Sequence, residues 1–349
     1  MNDKENRIIK LLEAFDRILE NKEHLLVVVH NNPDPDAIAS AVALGYLAEK
    51  RRDIEVSIAF GGTVGRAENQ EMIRKLKIQM KQINRINFEK YDCIALVDTQ
   101  PGAANNSFPE GRKAHIVIDH HPRRPHFKAG IEQIEPEAGA TSTMLIEWLK
   151  TGNIDIPTDL ATALAYAILS ETQNLGREAT RQDIEAYLYV YIKSNIRTLA
   201  EITLPRLPRS YYLALSKTLA RAHVYRNLIY AHIGDVPSSE IVAEMADFLL
   251  RHERIGWSLC TGRFKEQLII SIRSTNPEAR ADELVKSIVP DPNTVGGHEM
   301  IAGGYIALGD GTNQELMEHQ VQLSREFARR LGYERAHWRP LLGTHEGLS

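Results

Sequence analysis

His30, Asp34 and Asp36 stand close together in the run "HNNPDPDAIAS" (residues 30–40). An imidazole and two carboxylates at this spacing can ligate a cation. The carboxylates also call for one, because like charges this close destabilise each other unless positive charge lies between them. Two further groups have the same character. Asp98 ends the run "CIALVD", and Asp119, His120 and His121 follow the apolar "IVI". Each motif alone has an ordinary explanation: "NPDPD" is also a turn leading into a helix cap, and a lone histidine at a strand end is commonly structural. Consecutive histidines at a strand end serve no packing purpose. Three such groups in equivalent positions point to a built metal site.

The elements needed to position these side chains follow from the pattern around them. Residues 25–29, 93–97 and 116–118 are almost purely apolar. Such runs, alternating with helical spacing at 6–20, 36–51 and 67–76, predict an α/β fold with a parallel sheet covered by helices on both faces. A further strand is expected at 54–60, and the small residues Ala37, Ala41 and Gly45 let the second helix lie close to the sheet. In open parallel sheets ligands bind beyond the carboxyl ends of the strands, so the three groups converge in one crevice. His30 and His120 with Asp34, Asp36 and Asp98 form a mixed oxygen and nitrogen set suited to Mn²⁺, with Mg²⁺, Co²⁺ or Zn²⁺ as alternatives. The carboxylates are too many for one ion. Two divalent ions bridged by one aspartate resolve the repulsion.

With 349 residues the chain exceeds one average core, and two domains are expected. Residues 139–200 read as mostly helical. The Pro-punctuated "LPRLPR" (204–209) marks the boundary, giving domains 1–208 and 209–349. The second is read as a smaller α/β domain. It has helices at 210–224, 238–250, 280–289 and 312–330, strands at 227–233, 255–262, 267–273 and 304–308, and a glycine-rich turn before the last strand. Hydrophobic content of 43% and charged content of 25% are ordinary globular values. A net charge of -4 without a long basic block argues against a protein that coats long nucleic acid, while leaving room for a local basic pocket. Cys93 and Cys260 sit beside apolar runs and read as reduced core thiols. "MNDKENRIIK" lacks the apolar core of a signal peptide and no apolar run reaches membrane length, so a soluble cytoplasmic protein is expected.

In order and spacing these motifs resemble the DHH phosphoesterase family, which includes RecJ exonucleases, family II pyrophosphatases and bacterial nanoRNase/pAp phosphatases. The family's His-x-x-x-Asp-x-Asp motif is similar to "HNNPDPD", its strand-ending aspartate to "LVDT", and its eponymous triplet to Asp119-His120-His121. The C-terminal part resembles the DHH-associated substrate domain through "VGGHEMIAGG" (295–304) and "SIRS" (271–274). The two-domain size is most similar to the nanoRNase/pAp phosphatase branch, without the extra nucleic-acid-binding domain of the long RecJ enzymes.

The resemblance implies an active site in the cleft between the two domains and a set of roles. His30 and Asp34 would hold one ion, Asp36 and His120 the other, and Asp98 would bridge them. Asp119 would support a ligand, and His121 would face the substrate phosphate. Arg273 and His298 would grip phosphate or nucleotide from across the cleft, with Gly296 and Gly297 allowing close backbone approach to an anion. Water held between the ions would attack phosphorus.

Two departures stand out. The family's Thr-Asp-Thr-Gly-like segment is here "SETQNLG" (170–176), with Glu171 in place of a metal-binding aspartate and Gln173 in place of glycine. A ligand displaced by about 1 Å can cost on the order of 10²-fold in rate. Val295 replaces the first glycine of the family's triplet. Arg123 and Arg124 add positive charge just after the histidines. The expected function is a metal-dependent phosphoesterase, a hydrolase acting on short oligoribonucleotides, linear dinucleotides or pAp, with no long duplex or membrane partner and with a homodimer allowed. One alternative is a nucleotide-binding regulatory or scaffolding protein without turnover, which Glu171 keeps open. The other is an inorganic pyrophosphatase.

Overall fold

Strand β1 (His24–Val28) is buried on both sides. Leu25 and Val27, with Val29 just beyond, pack into one apolar layer, and Leu26 and Val28 into another. Hence its sequence is a continuous apolar run and not an alternating one. The computed structural model describes residues 3–176, 179–309 and 312–342. The chain divides into two units, Met1–Arg206 and Leu207–Ser349, with the division inside the "LPRLPR" segment.

The first unit runs α1 (Asp3–Leu19), β1, α2 (Pro35–Arg52), β2 (Glu55–Phe60), α3 (Ala67–Leu76), β3 (Lys81–Gln82), β4 (Cys93–Val97), β5 (Ile116–Asp119) and β6 (Ile131–Ile134), then α4 (Thr141–Thr151), α5 (Thr158–Glu171), α6 (Arg181–Tyr191) and α7 (Ile196–Thr203). Its six strands are parallel, in the order β3-β2-β1-β4-β5-β6. The direction of winding reverses between β1 and β4, the position at which such sheets bind ligands. Gly45 of α2 brings the helix against β2: a Cβ there would lie 3.0 Å from Val56 Cγ1.

All seven α-helices of this unit contribute to the same apolar layer. The opposite layer is closed by the 3-10 turns Ile83–Arg85 and Phe88–Lys90 and by loop residues such as Phe108 and Ala114. Both faces are covered, and among the described residues the β4–β5 and β5–β6 connections contain no α-helix. Strand β6 was not expected. Its mixed Ile-Glu-Gln-Ile composition hides it, and Gln133 is buried there by accepting the Trp148 indole N–H at 2.7 Å.

The second unit contains α8 (Arg209–Arg221), β7 (Ala222–Tyr225), β8 (Leu228–Asp235), α9 (Glu240–Leu250), β9 (Trp257–Phe264), β10 (Gln267–Ser274), α10 (Ala281–Ile288), β11 (Val295–His298), β12 (Ile301–Ala307), α11 (Asn313–Arg330) and β13 (Arg339–Pro340). Its mixed sheet has the order β11-β12-β10-β9-β8-β7-β13, with β8 and β9 parallel and the other pairs antiparallel. The segment expected as a glycine-rich turn includes a strand, β11. Gly297 is needed for that pairing: a Cβ there would lie 2.2 Å from the Ile301 carbonyl oxygen. Cys93 and Cys260 are buried free thiols. Among the described residues no helix is long and apolar enough to cross a membrane.

Candidate metal centre

His30 lies just past β1, and its Nδ1 is 2.9 Å from the Asn31 carbonyl. That contact makes Nδ1 the donor and leaves a lone pair on Nε2. Nε2 faces two carboxylate oxygens, Asp34 Oδ2 at 3.4 Å and Asp98 Oδ2 at 3.5 Å. His120, just past β5, repeats the arrangement. Its Nδ1 donates to the Ala138 carbonyl at 3.1 Å. Its Nε2 is buried without a hydrogen-bond partner and faces Asp98 Oδ1 at 3.5 Å and Glu171 Oε1 at 3.9 Å. A lone pair aimed at carboxylates is unfavourable without a proton or cation between them, and a histidine whose other nitrogen donates to a carbonyl is the usual form of a metal ligand. The donor atoms therefore fit divalent cations. Two ligand groups each lie within 4.8 Å, one of His30, Asp34 and Asp98, the other of Asp98, His120 and His121.

Asp98 belongs to both groups and turns one oxygen toward each of His30 and His120. It follows β4 with φ 58°, a left-handed conformation that costs a non-glycine residue about 1–2 kcal/mol. Thr141 Oγ1 donates to its Oδ1 at 2.8 Å. Asp34 serves as both cap and candidate ligand. Its Oδ1 accepts the Ala37 N–H of α2 at 3.0 Å, while Oδ2 faces His30.

Asp36 is fully buried in the first turn of α2. Its Oδ2 accepts the Thr141 N–H at 2.7 Å and its Oδ1 the Ser142 N–H at 2.8 Å. It thereby caps α4, whose own N-cap residue, Ala140, has no side chain for the task. Oδ2 keeps a second lone pair to offer a cation, while Oδ1 also accepts from Ser40 Oγ at 3.4 Å. Thr141 and Ser142 were missed by sequence reasoning. The signal was the small, hydroxyl-rich "GATST" before an apolar helix, an N-terminus pattern.

Asp119 directs its bonds to His121 and to Gln100. Its Oδ1 accepts the His121 backbone N–H at 3.2 Å and Nδ1–H at 2.8 Å, and its Oδ2 accepts Gln100 Nε2–H at 2.6 Å. It orients His121, which is half-exposed and keeps Nε2 for another partner. Gln100 was also missed, since nothing in its immediate sequence marks it.

Glu171 closes α5 and is followed by three left-handed residues, Gln173, Asn174 and Leu175, at φ 47°, 60° and 62°. Gln173 thus adopts the backbone region that the family's glycine reaches freely.

The candidates of the second unit belong to its own sheet. Arg273 is buried on β10, with Nε donating to Asp247 at 2.6 Å and Nη1 to Ser271 Oγ at 2.7 Å and the Ile272 carbonyl at 2.9 Å. Gly296 has open space where a Cβ would stand. The side chain of His298 lies outside the described residues.

The titration behaviour reflects crowded carboxylates. Burial disfavours the His30 imidazolium, but Asp34 and Asp98 outweigh it and hold His30 well above its ordinary range. Burial would raise Asp34, and His30 instead holds it far below the usual carboxylate range. Burial and the Asp98 charge push Asp36 up to about 7. Burial, Asp34, Asp36 and Asp98 together hold Glu171 well above its ordinary value. Burial opposes a charged His120, and Asp98 and Asp36 outweigh it, so its pKa is raised. Protons occupy the places that cations would neutralise.

Comparison with known proteins matches this site to a family. The model of the DHH family, N-terminal domain, matches residues 24–168, which include His30, Asp98, His121 and Thr141. An uncharacterized protein of Methanocaldococcus jannaschii is 34% identical over 294 residues, 83% of this chain and 59% of that protein. A probable manganese-dependent inorganic pyrophosphatase of Lactobacillus delbrueckii subsp. bulgaricus is 31% identical over 167 residues, 47% of this chain and 52% of that protein. The chain thus spans little more than half the length of these curated relatives. An exopolyphosphatase-related protein from Bacteroides fragilis shares the fold, with a TM-score of 0.71 at 16% identity over 91% of this chain and 96% of that one. Three strand-end motifs in family order, a parallel sheet that gathers them and the family match make residues 24–168 an N-terminal domain of the DHH family.

Proposed function

We propose that the protein is a divalent-metal-dependent phosphoesterase that hydrolyses small phosphorylated nucleotides: short oligoribonucleotides, linear dinucleotides or pAp. The observation that carries this reading is Asp98, with its Oδ2 3.5 Å from His30 Nε2 and its Oδ1 3.5 Å from His120 Nε2. One carboxylate between two outward lone pairs is the arrangement expected of a bridge between two cations. His30 and Asp34 complete the first position. His120, Asp36 and Glu171 complete the second. Mn²⁺ suits the mixed donors, and the name of the L. delbrueckii relative points the same way. The ions, when bound, supply Lewis acidity to the phosphoryl group and to water. His121, fixed by Asp119, presents Nε2 at the rim as a hydrogen-bond donor to a phosphoryl oxygen when protonated. Residues 209–349 supply the substrate-binding part in this reading. Gly296 offers an open backbone there, and Arg273 offers the edge of its guanidinium that Asp247 and Ser271 leave.

A second reading, an inorganic pyrophosphatase, is favoured by that same relative. A turnover panel with Mn²⁺ over pAp, linear dinucleotides, cyclic dinucleotides and pyrophosphate decides between them. Nucleotide hydrolysis that depends on the ion is the expected result. Turnover of pyrophosphate alone would replace the proposal, and nucleotide binding without any turnover would leave a nucleotide-binding regulatory or scaffolding protein.

A further inference from the structure

Beside His121 lies a cavity of roughly 360 Å³ whose lining includes Thr99, Gln100, Asn105, Arg123 and Arg124. We propose that it receives a second phosphate of the substrate, one separated from the scissile phosphate by a sugar, and that Arg124 recognises it. The proposal rests on the nucleotide reading above and adds what selects among such substrates.

The charge of the lining is the first argument. Asp119 is its one acidic member and is 1% exposed, with both oxygens occupied by His121 and Gln100. The basic members differ in commitment. Arg123 pairs with Glu132 at 2.6 Å and lies over the Phe127 ring at 5.1 Å. Arg124 has no acidic partner among the described residues. An exposed guanidinium without a carboxylate, next to an oriented imidazole, forms a cationic wall matched to a phosphate's oxygens.

The second argument is the construction of the wall. Gln100 is 2% exposed and joins the end of β4 to the loop after the histidines. Its Nε2 donates to Asp119 Oδ2 at 2.6 Å, and its Oε1 accepts the Arg124 backbone N–H at 2.7 Å. One amide thus positions His121, through Asp119, and the backbone of Arg124. A glutamate could not donate to Asp119, and a methionine could do neither. On the adjacent side Thr99 Oγ1 donates to Asn105 Oδ1 at 3.1 Å and accepts from Asn106 Nδ2 at 2.8 Å, leaving the Asn105 amide N–H groups as donors.

Size is the third argument. The volume is at the lower end of small-molecule sites. It suits a phosphate with part of its sugar. Its lining shares His121 with the candidate metal centre, so the two sites adjoin.

The test compares wild type, Arg124→Ala and Arg124→Lys on ApA with and without a 5′-phosphate, in Mn²⁺. Wild type should prefer the phosphorylated form by about 10- to 100-fold in kcat/KM, the range of one charge-assisted contact. Arg124→Ala should bring that ratio close to one, mainly through KM, and Arg124→Lys should restore part of it. A ratio that is the same in wild type and Arg124→Ala overturns the proposal. Calorimetric binding of pAp to the metal-free protein separates this outcome from failure of the functional reading. If no nucleotide is turned over, pAp binding that Arg124→Ala abolishes still supports the subsite, and binding that is absent or indifferent to the substitution overturns it.

Discussion

An asparagine at position 98 would keep the shape of the proposed bridge and remove its charge. Its amide oxygen could still accept from Thr141 Oγ1, and its N–H could donate to the His30 lone pair. Asp98→Asn should therefore lower activity by roughly 10²-fold or more and weaken metal binding, while the metal-free protein remains folded and at least as stable. Near-wild-type turnover at saturating Mn²⁺ would contradict the two-ion assignment. Glu171 poses a narrower question. With Oε1 3.9 Å from His120 Nε2, it is assigned to the second position. Glu171→Ala should weaken one ion and spare the other, which keeps His30, Asp34 and Asp98. Glu171→Asp should lower activity, because the shorter arm draws the carboxylate back from His120 while Gln173 already holds the family-like backbone. Metal titration with activity measured in parallel checks both. If neither substitution changes stoichiometry, affinity or rate, Glu171 is not a ligand.

Helix α4 adds a constraint that no single motif expresses. Its first two amides bond to both oxygens of Asp36, a carboxylate from α2. The positive end of a helix is thereby built into the site and partly offsets the charge on Asp36. Asp36→Asn must place an amide –NH₂ against one of those N–H donors in a buried setting. The metal-free variant should lose about 1–3 kcal/mol of stability in chemical denaturation. The same substitution at Asp98 should cost nothing, so the two isosteric changes should differ in sign or size within one site. Equal stability of both variants would show that α4 is not capped in this way. The legibility of these elements differs. Strands β1, β4 and β5 were plain from their apolar runs. Strand β6 was not, because its burial of Gln133 depends on Trp148, in the following helix α4.

At the scale of the whole molecule the site couples metal, protons and folding. In the metal-free protein His30 and Glu171 are held well above their ordinary values and Asp36 is pushed up to about 7. Each binds its proton more tightly folded than unfolded. The folded state therefore binds more protons than the unfolded one, and stability falls as pH rises. For the two carboxyls the loss starts near their unfolded values, about 4, and for Asp36 it runs through about 7. For His30 it starts near 6.5 and runs upward. Asp34, held below the usual range, has the opposite sign and acts only in acid. The Tm of metal-free protein should thus fall between about pH 5.5 and 8, and Mn²⁺ should raise Tm most at the alkaline end, where no proton competes. Calorimetry across that range checks it. A metal-free Tm that rises over the same interval would mean that the carboxylates are not crowded as described.

By itself the sequence determined the parallel sheet of the first unit, the strand ends that carry His30, Asp98 and the Asp119–His121 group, and the family to which they belong. These rest on local patterns: apolar runs, their alternation with helices, and the rule that ligands gather at the carboxyl ends of parallel strands. Only the tertiary structure decided which oxygen of Asp98 meets which histidine, that α4 caps onto Asp36, that Gln100 fastens Asp119, and that Gly297 is required by strand pairing. Each of these is a contact between separate segments. Its geometry is set by register, helix placement and left-handed turns, which no window of sequence around either partner specifies.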